Sequence, residues 1–406
     1  MNYREALAWL YGLQRFGIKL GLENIQRLIS TLDIDLGKTR IIHVAGTNGK
    51  GSVCAMIDSI LRAQGYRTAL FTSPHLVTFR ERIRVNGEII SEEAVAAGLT
   101  RIHEFVADWE PHPTFFEVTT ALALKYFLEA RIDVVTLETG LGGRLDATNA
   151  VQPTVSVITP IALDHEKWLG DSIDKIASEK AGIIKPKTPV VSAPQRPEAE
   201  AVIRARAAEC EAALQIVNGA YEESSIGLAG THQKQNAALA IAAVRATGID
   251  IDEAAITRGL SDVKWPARFQ RWDERTIIDG AHNPAAARVL AETWREMFGD
   301  QRATIILAIL SDKDLQGICA ALVPMCEYVV LPKIRSARAA DPAELAKVLA
   351  SITPRLQYSI APSIGDAIEQ ARAMPPPILI TGSLHFAGEV LAHLQGEPAA
   401  FEECAQ

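Results

Sequence analysis

The chain has 406 residues, 48% of them apolar and 22% charged, with 41 basic against 49 acidic side chains for a net charge of −8. At about 150 residues per domain the length suggests two or three domains, and the composition excludes a disordered chain, a collagen-like repeat and a small disulfide scaffold. The acidic balance argues against broad nucleic-acid binding and still leaves room for a local anion site.

Five cysteines (Cys54, Cys210, Cys319, Cys326, Cys404) are scattered without a CxxC pair, so neither a zinc knuckle nor a disulfide framework is indicated. The opening residues carry charges throughout and lack the apolar segment of a signal peptide. No run approaches the roughly 18 apolar residues needed to span a bilayer. A cytoplasmic protein with no membrane or nucleic-acid partner is the expectation.

In chain order, short β-branched runs alternate with longer amphipathic stretches. Strands are expected at Ile41–Ala45, Thr68–Phe71, Val134–Leu137, Val155–Thr159, Val190–Ser192, Thr276–Ile278, Thr304–Leu310, Tyr328–Leu331 and Ile378–Thr381. Most are continuously apolar, as in parallel strands covered on both faces. Helical patterns fall between them, as at Val53–Gln64, Phe116–Ala130, Ile173–Ile184 and Ala285–Phe298. The class is α/β, with a mostly parallel P-loop-type sheet flanked by helices and a smaller Rossmann-like second domain. Trp265-Pro266 breaks the chain before a new strand–loop–helix series, giving domains over 1–264 and 265–406.

The strand Ile41–Ala45 feeds Gly46-Thr47-Asn48-Gly49-Lys50-Gly51-Ser52 and then a helix. Such a turn exposes backbone N–H groups at a helix N-terminus, where negative charge is favoured, and its lysine supplies a mobile positive charge. The P-loop pattern is imperfect: Val44 stands at its first glycine, and Gly51 separates Lys50 from Ser52. Further on, Glu138 ends one apolar strand and Asp164-His165 follows the next, and ligands collect outside such strand ends. Glu138 reads equally as a metal ligand or as half of a structural ion pair. Read alone, His165 is a capping or core residue, Lys180 a solvated helical lysine, and Ser73 a turn residue.

Together these segments resemble the folylpolyglutamate synthase/dihydrofolate synthase family, a branch of the Mur ligase superfamily. The resemblance runs through GIKLGLE (17–23), HVAGTNGKGS (43–52), TSPHL (72–76), TFFE (114–117), LETGLGGRLDATN (137–149), IALDHEKWLG (161–170), EKAGIIK (179–185), HQKQNA (232–237), WPARFQ (265–270), IIDGAHNP (277–284) and TGSL (381–384). It implies a bifunctional, ATP-dependent ligase that joins glutamate to dihydropteroate and to reduced folates through an acyl phosphate. A Mur-type ligase acting on a cell-wall precursor is the alternative.

The resemblance further implies residue roles. Gly49, Lys50, Gly51 and Ser52 match the triphosphate loop, and Asn236, Arg268 and Asp279 match nucleotide contacts. Ser73, Glu138, His165 and Lys180, the last as a carbamate, match positions that hold Mg²⁺, with two ions accompanying ATP. Gly17, Ile18, Lys19, Leu20, Thr114, Phe115, Phe116, Leu145, Asp146 and Ala147 match the dihydropteroate segments. His282 and Ser383 match positions near glutamate. Lys50, Lys180, His165 and His282 are the expected catalytic set, in a monomer. Three departures stand out: a compact segment between Lys187 and His232, Ala267 where the family often has glycine, and Thr139 for a common valine.

Overall fold

The computed structural model describes residues 1–17 and 21–403; Ile18, Lys19, Leu20 and Cys404 lie outside them. The first sheet contains β1 (Arg40–Ala45), β2 (Thr68–Phe71), β3 (Ile83–Val85), β4 (Glu88–Ile89), β5 (Val134–Glu138), β6 (Val155–Ile158), β7 (Val190–Ser192) and β8 (Leu214–Ile216). Its order is β4-β3-β2-β5-β1-β6-β7-β8, parallel from β2 to β8, with β3 and β4 added antiparallel at one edge. The second sheet contains β9 (Gln270–Arg271), β10 (Thr276–Ile278), β11 (Ala303–Leu307), β12 (Cys326–Pro332), β13 (Gln357–Ala361) and β14 (Ile378–Thr381). Its order is β13-β12-β11-β14-β10-β9, and only β9 runs antiparallel.

The continuous apolar runs mark the buried strands. β2, β5, β6, β7, β10, β11 and β14 are buried at every residue, because helices cover both faces. On one face of the first sheet the helices Tyr3–Gly12, Glu23–Thr31, Glu92–Val106 and Phe115–Ala130 share one apolar cluster with Phe71, Val135 and Leu137. On the other, the helix Lys50–Gln64 packs among Thr231–Ala246 and Glu253–Asp262. Each fully buried Ile, Val or Phe contributes about 1.5–3 kcal/mol of transfer free energy.

Two expected elements are shorter than their apolar patterns. The run Thr304–Leu310 stops being strand at Leu307, since Leu310 forms only an isolated bridge to Ala339. The helix expected to reach Ile184 ends at Ala181, where Gly182 begins a turn that carries Ile183 and Ile184 into the core. The β3–β4 hairpin was not expected, although Asn86-Gly87, with φ of 51° and 85°, is a favoured two-residue hairpin turn. β13 was also missed; most of its residues are exposed at a sheet edge, so it shows no apolar run.

The sheet interior holds a testable charge constraint. His43 on β1 is fully buried, with Nε2 2.8 Å from Thr148 Oγ1, and burial pushes its imidazole down to about 3. The unfolded chain, with a histidine near 6.5, binds a proton between these values that the folded chain does not. Stability present above pH 6.5 is therefore lost as pH falls. At pH 5.5 this one group is expected to cost about 1.4 kcal/mol relative to pH 7.5. His43→Gln should remove that share from the pH dependence of urea unfolding; identical pH profiles would contradict it.

Candidate active site

The carboxyl ends of β1, β5 and β6 face the carboxyl ends of β10, β11 and β14 across a cavity of about 530 Å³. The glycine loop after β1 forms its floor. Gly46 approaches β6 so closely that a Cβ there would lie 1.9 Å from Thr159 Oγ1. Gly49 caps the helix Lys50–Gln64 in the left-handed region, at φ 87°, which leaves the first-turn N–H groups open toward the cavity. Lys50 Nζ turns back onto the Gly46 and Thr47 carbonyls at 3.1 and 3.3 Å.

Lys180 is not the solvated lysine its local sequence suggests. It is 4% exposed, and its Nζ donates to the same Gly46 carbonyl at 2.8 Å. Burial, and then the Lys50 charge, pull it down to about 7. Glu138 ends β5 and is also buried; burial raises its carboxyl while the Lys50 charge opposes that rise. Its Oε2 accepts from Ser73 N at 3.1 Å, and the buried Ser73 hydroxyl beside it has no hydrogen-bond partner. His165 follows β6 at φ 53°, a left-handed conformation that costs a non-glycine residue about 1–2 kcal/mol. Burial takes its imidazole down to about 4, so the ring is neutral at neutral pH. It precedes the short helix Glu166–Leu169 without making a side-chain capping bond.

Among the described residues no group of three His, Cys, Asp or Glu side chains forms a complete metal cage. One buried carboxylate, an unpartnered hydroxyl and a neutral imidazole suit a hard cation that takes its remaining ligands from phosphate and water.

From the other side, Arg268 sits between two residues at positive φ, Ala267 at 55° and Phe269 at 46°. Alanine thus occupies a conformation that glycine adopts without strain. Asp279 fixes this turn, accepting from Phe269 N at 2.8 Å and from Ala281 N at 2.9 Å. Asn236, Arg268, Asp279, His282 and Ser383 all line the same cavity as the glycine loop. Ser383 caps the helix Leu384–Leu394, accepting from Phe386 N at 3.1 Å.

Asp164 and Lys313 were absent from the expected site. Asp164 Oδ1 lies 2.7 Å from Lys313 Nζ, both side chains being under one-tenth exposed, while its Oδ2 accepts from Asn283 Nδ2 at 3.2 Å and faces His282 Nε2 at 3.5 Å. Asn283 in turn pairs with Asn48 of the glycine loop at 3.0 Å. Burial alone would raise the Asp164 carboxyl; the hydrogen bond and charge of His282, with His165 and Lys313, hold it well below the usual range. A signal existed for both residues, since each follows the carboxyl end of a strand.

Of the expected pterin residues, Ile18, Lys19 and Leu20 lie outside the described residues, and the others are not among those that line the cavity. Thr114 caps the helix Phe115–Ala130 in a reciprocal box with Glu117. Phe115 stacks on Tyr11 at 5.5 Å. Phe116 lies against Gly140, which lines the cavity, and would meet a Cβ there at 2.5 Å. Both Asp146 oxygens already accept two bonds each, from Gly140 N and Leu141 N and from Thr148 N and Oγ1. Ala147 is buried, Leu145 is half-buried, and Gly17 closes a short helical turn.

Residues 44–209 match the Mur ligase middle domain, and residues 267–384 match the Mur ligase glutamate ligase domain. A dihydrofolate synthase/folylpolyglutamate synthase of Bacillus subtilis is 37% identical over 97% of this chain and 99% of its own length. The Escherichia coli protein of the same description is 35% identical over 95% and 94%. This chain belongs to the dihydrofolate synthase/folylpolyglutamate synthase family. It is an ATP-dependent ligase of the Mur type. The solved structure of E. coli FolC in complex with DHPP and ADP superposes with a TM-score of 0.87 at 33% identity, covering 96% of this chain and 98% of that one. The Yersinia pestis enzyme, solved with AMPPNP and a Mn ion, gives 0.88 at 32% identity, covering 97% and 98%. Full-length likeness to folate ligases weighs against the cell-wall alternative. No helix among the described residues is long and apolar enough to cross a membrane.

The Asp164–Lys313 pair joins the two halves of this ligase. Lys313→Met and Asp164→Asn are each expected to lower kcat/KM for ATP on the order of a hundredfold, the cost of leaving one buried charge unpaired. The double variant should lose little more than either single one. Fully additive losses in that cycle would contradict the coupling.

Proposed function

We propose that this ligase uses ATP to join the amine of L-glutamate to the carboxylate of 7,8-dihydropteroate and of reduced folates. The observation that carries the reading is the single cavity in which a phosphate-binding loop from the first sheet meets Arg268, Asp279 and Lys313 from the second. We divide the chain into an ATP-binding domain over 1–264 and a closing domain over 265–406, acting as a cytoplasmic monomer.

A carboxylate is a poor electrophile, so its oxygen first takes the γ-phosphoryl group of ATP, releasing ADP and forming an acyl phosphate. The glutamate amine then attacks the carbonyl carbon; the C–O bond to phosphate breaks, phosphate leaves and the amine loses a proton. Every partner is anionic, and the chain must bring them into line. The first-turn N–H groups of Gly51 and Ser52, with Lys50, hold the phosphates, and Asn236, Arg268 and Asp279 hold the nucleotide.

Ser73, Glu138, His165 and Lys180 would hold Mg²⁺, two ions with ATP, which neutralise phosphate oxygens and polarise the transferring group. Lys180 fits this set as a carbamate. An amine near 7 is substantially neutral at physiological pH, and only the neutral amine adds CO₂, releasing a proton and leaving an anion where an ammonium would repel cations. His282 and Ser383 are assigned to the incoming glutamate. The second domain, held over the cavity through Lys313 and Asn283, shields the acyl phosphate from water.

The pterin side is assigned to Gly17–Leu20, Thr114–Phe116 and Leu145–Ala147. Phe116 supplies an aromatic face beside Gly140. Asp146 would pair with pterin N–H donors once the 140–148 loop gives up part of its present bonding.

Mass spectrometry of products decides the reading. With ATP, Mg²⁺ and glutamate, dihydropteroate and a reduced folate offered separately are each expected to gain one or more glutamyl units. Folded protein that adds glutamate to neither acceptor would overturn the assignment; addition to one alone would remove the bifunctional part.

A further inference from the structure

The loop Ser73–Phe79 after β2 belongs to the first domain, yet second-domain residues grip it on two sides. On one side, the helix Leu384–Leu394 passes so near that a Cβ on Gly388 would lie 1.9 Å from the Leu76 carbonyl oxygen. Leu76 and Val77 pack there against the apolar cluster of Phe386, Ala387 and Val390. On the other side runs the segment Phe401–Glu403. Glu402 N donates to the Val77 carbonyl at 2.8 Å. The Glu402 carboxylate accepts from Thr78 Oγ1 at 3.1 Å, from Phe79 N at 2.5 Å and from the Tyr3 hydroxyl at 3.1 Å. Phe401 stands edge-on to His385, with ring centroids 5.1 Å apart.

His75 completes the grip. Arg82 Nε lies 2.9 Å from His75 Nδ1, and a guanidinium only donates, so Nδ1 is the acceptor and the ring proton sits on Nε2. That Nε2–H donates to the Glu402 carbonyl at 2.9 Å. At the near end of the same loop, Ser73 N meets Glu138 at 3.1 Å and the Ser73 hydroxyl is left without a partner.

We propose that Glu402 is a positioning residue that clasps the Ser73–Phe79 loop to the second domain and thereby sets the Ser73–Glu138 pair where the divalent cation binds. The inference rests on the reading of Ser73 and Glu138 as cation ligands. It makes cation affinity depend on the second domain, although every ligand assigned to the cation lies in the first. Outer partners of this kind govern affinity by holding a ligand in its orientation.

The test is Mn²⁺ titration of the intact chain, followed by electron paramagnetic resonance in the presence of ADP. Glu402→Ala is expected to weaken Mn²⁺ binding about tenfold, the low end for loss of an outer partner. Glu402→Gln keeps an amide oxygen for Thr78 and Phe79 and is expected to stay within about threefold of wild type. A purely structural role would lower thermal stability in both variants and leave the Mn²⁺ affinity of the folded protein unchanged. Unchanged affinity in Glu402→Ala, or equal losses in the two variants, overturns the proposal. A wild-type chain that binds no Mn²⁺ with nucleotide marks a different failure, that of the ligand assignment itself, and the clasp falls with it.

Discussion

One buried carboxylate, Asp164, is the interaction on which the arrangement of the two domains depends. It sits at the end of a first-domain strand, and its partners Lys313, His282 and Asn283 all come from the second. A charge taken out of water is tolerable only when well paired, so removing either Asp164 or Lys313 alone leaves an uncompensated ion in the seam. The same seam gathers Lys50 and Lys180 on the Gly46 carbonyl and places Arg268 across from them. A chain of net charge −8 therefore meets anionic substrates with locally concentrated cations, and its overall charge says nothing about its ligands.

Part of the local backbone strain falls in the same place. His165, Ala267 and Phe269 adopt positive φ without being glycine; His165 and Phe269 line the cavity, and Ala267 is buried next to Arg268, which also lines it. Positions of this kind cost about 1–3 kcal/mol each and persist only where surrounding contacts over-determine them. Here Asp279 ties down the Phe269 N–H, and the Asp164 carboxylate accepts from the His165 N–H at 2.9 Å. The strained turns aim Arg268 and His165 from opposite domains toward one space.

Much of this was legible in the sequence, for physical reasons that also mark the limits. Continuous apolar runs revealed the parallel strands because both faces are covered. The glycine loop and Glu138 were visible because strand ends in such sheets are where ligands gather. Lys180 looked solvated because burial of a helical lysine depends on what its side chain meets in the fold, here the Gly46 carbonyl just after β1. Asp164 and Lys313 were passed over because their roles exist only once two distant segments meet. β13 was invisible because an exposed edge strand has no apolar run. The pterin residues show a different limit: Thr114 and Asp146 do capping and loop work that any sequence with those residues could do, and Ile18–Leu20 lie outside the described residues.

The charged seam serves a reaction that runs through an acyl phosphate, and transfer of an isotope from acceptor to phosphate reports that intermediate. Dihydropteroate or a reduced folate carrying heavy oxygen in its carboxylate is turned over with ATP and glutamate, and the released phosphate is analysed by mass. One heavy oxygen should appear in each phosphate, because the carboxylate oxygen attacked by the γ-phosphoryl group leaves with it. Phosphate free of label, alongside normal formation of the glutamyl product, would contradict the acyl-phosphate route.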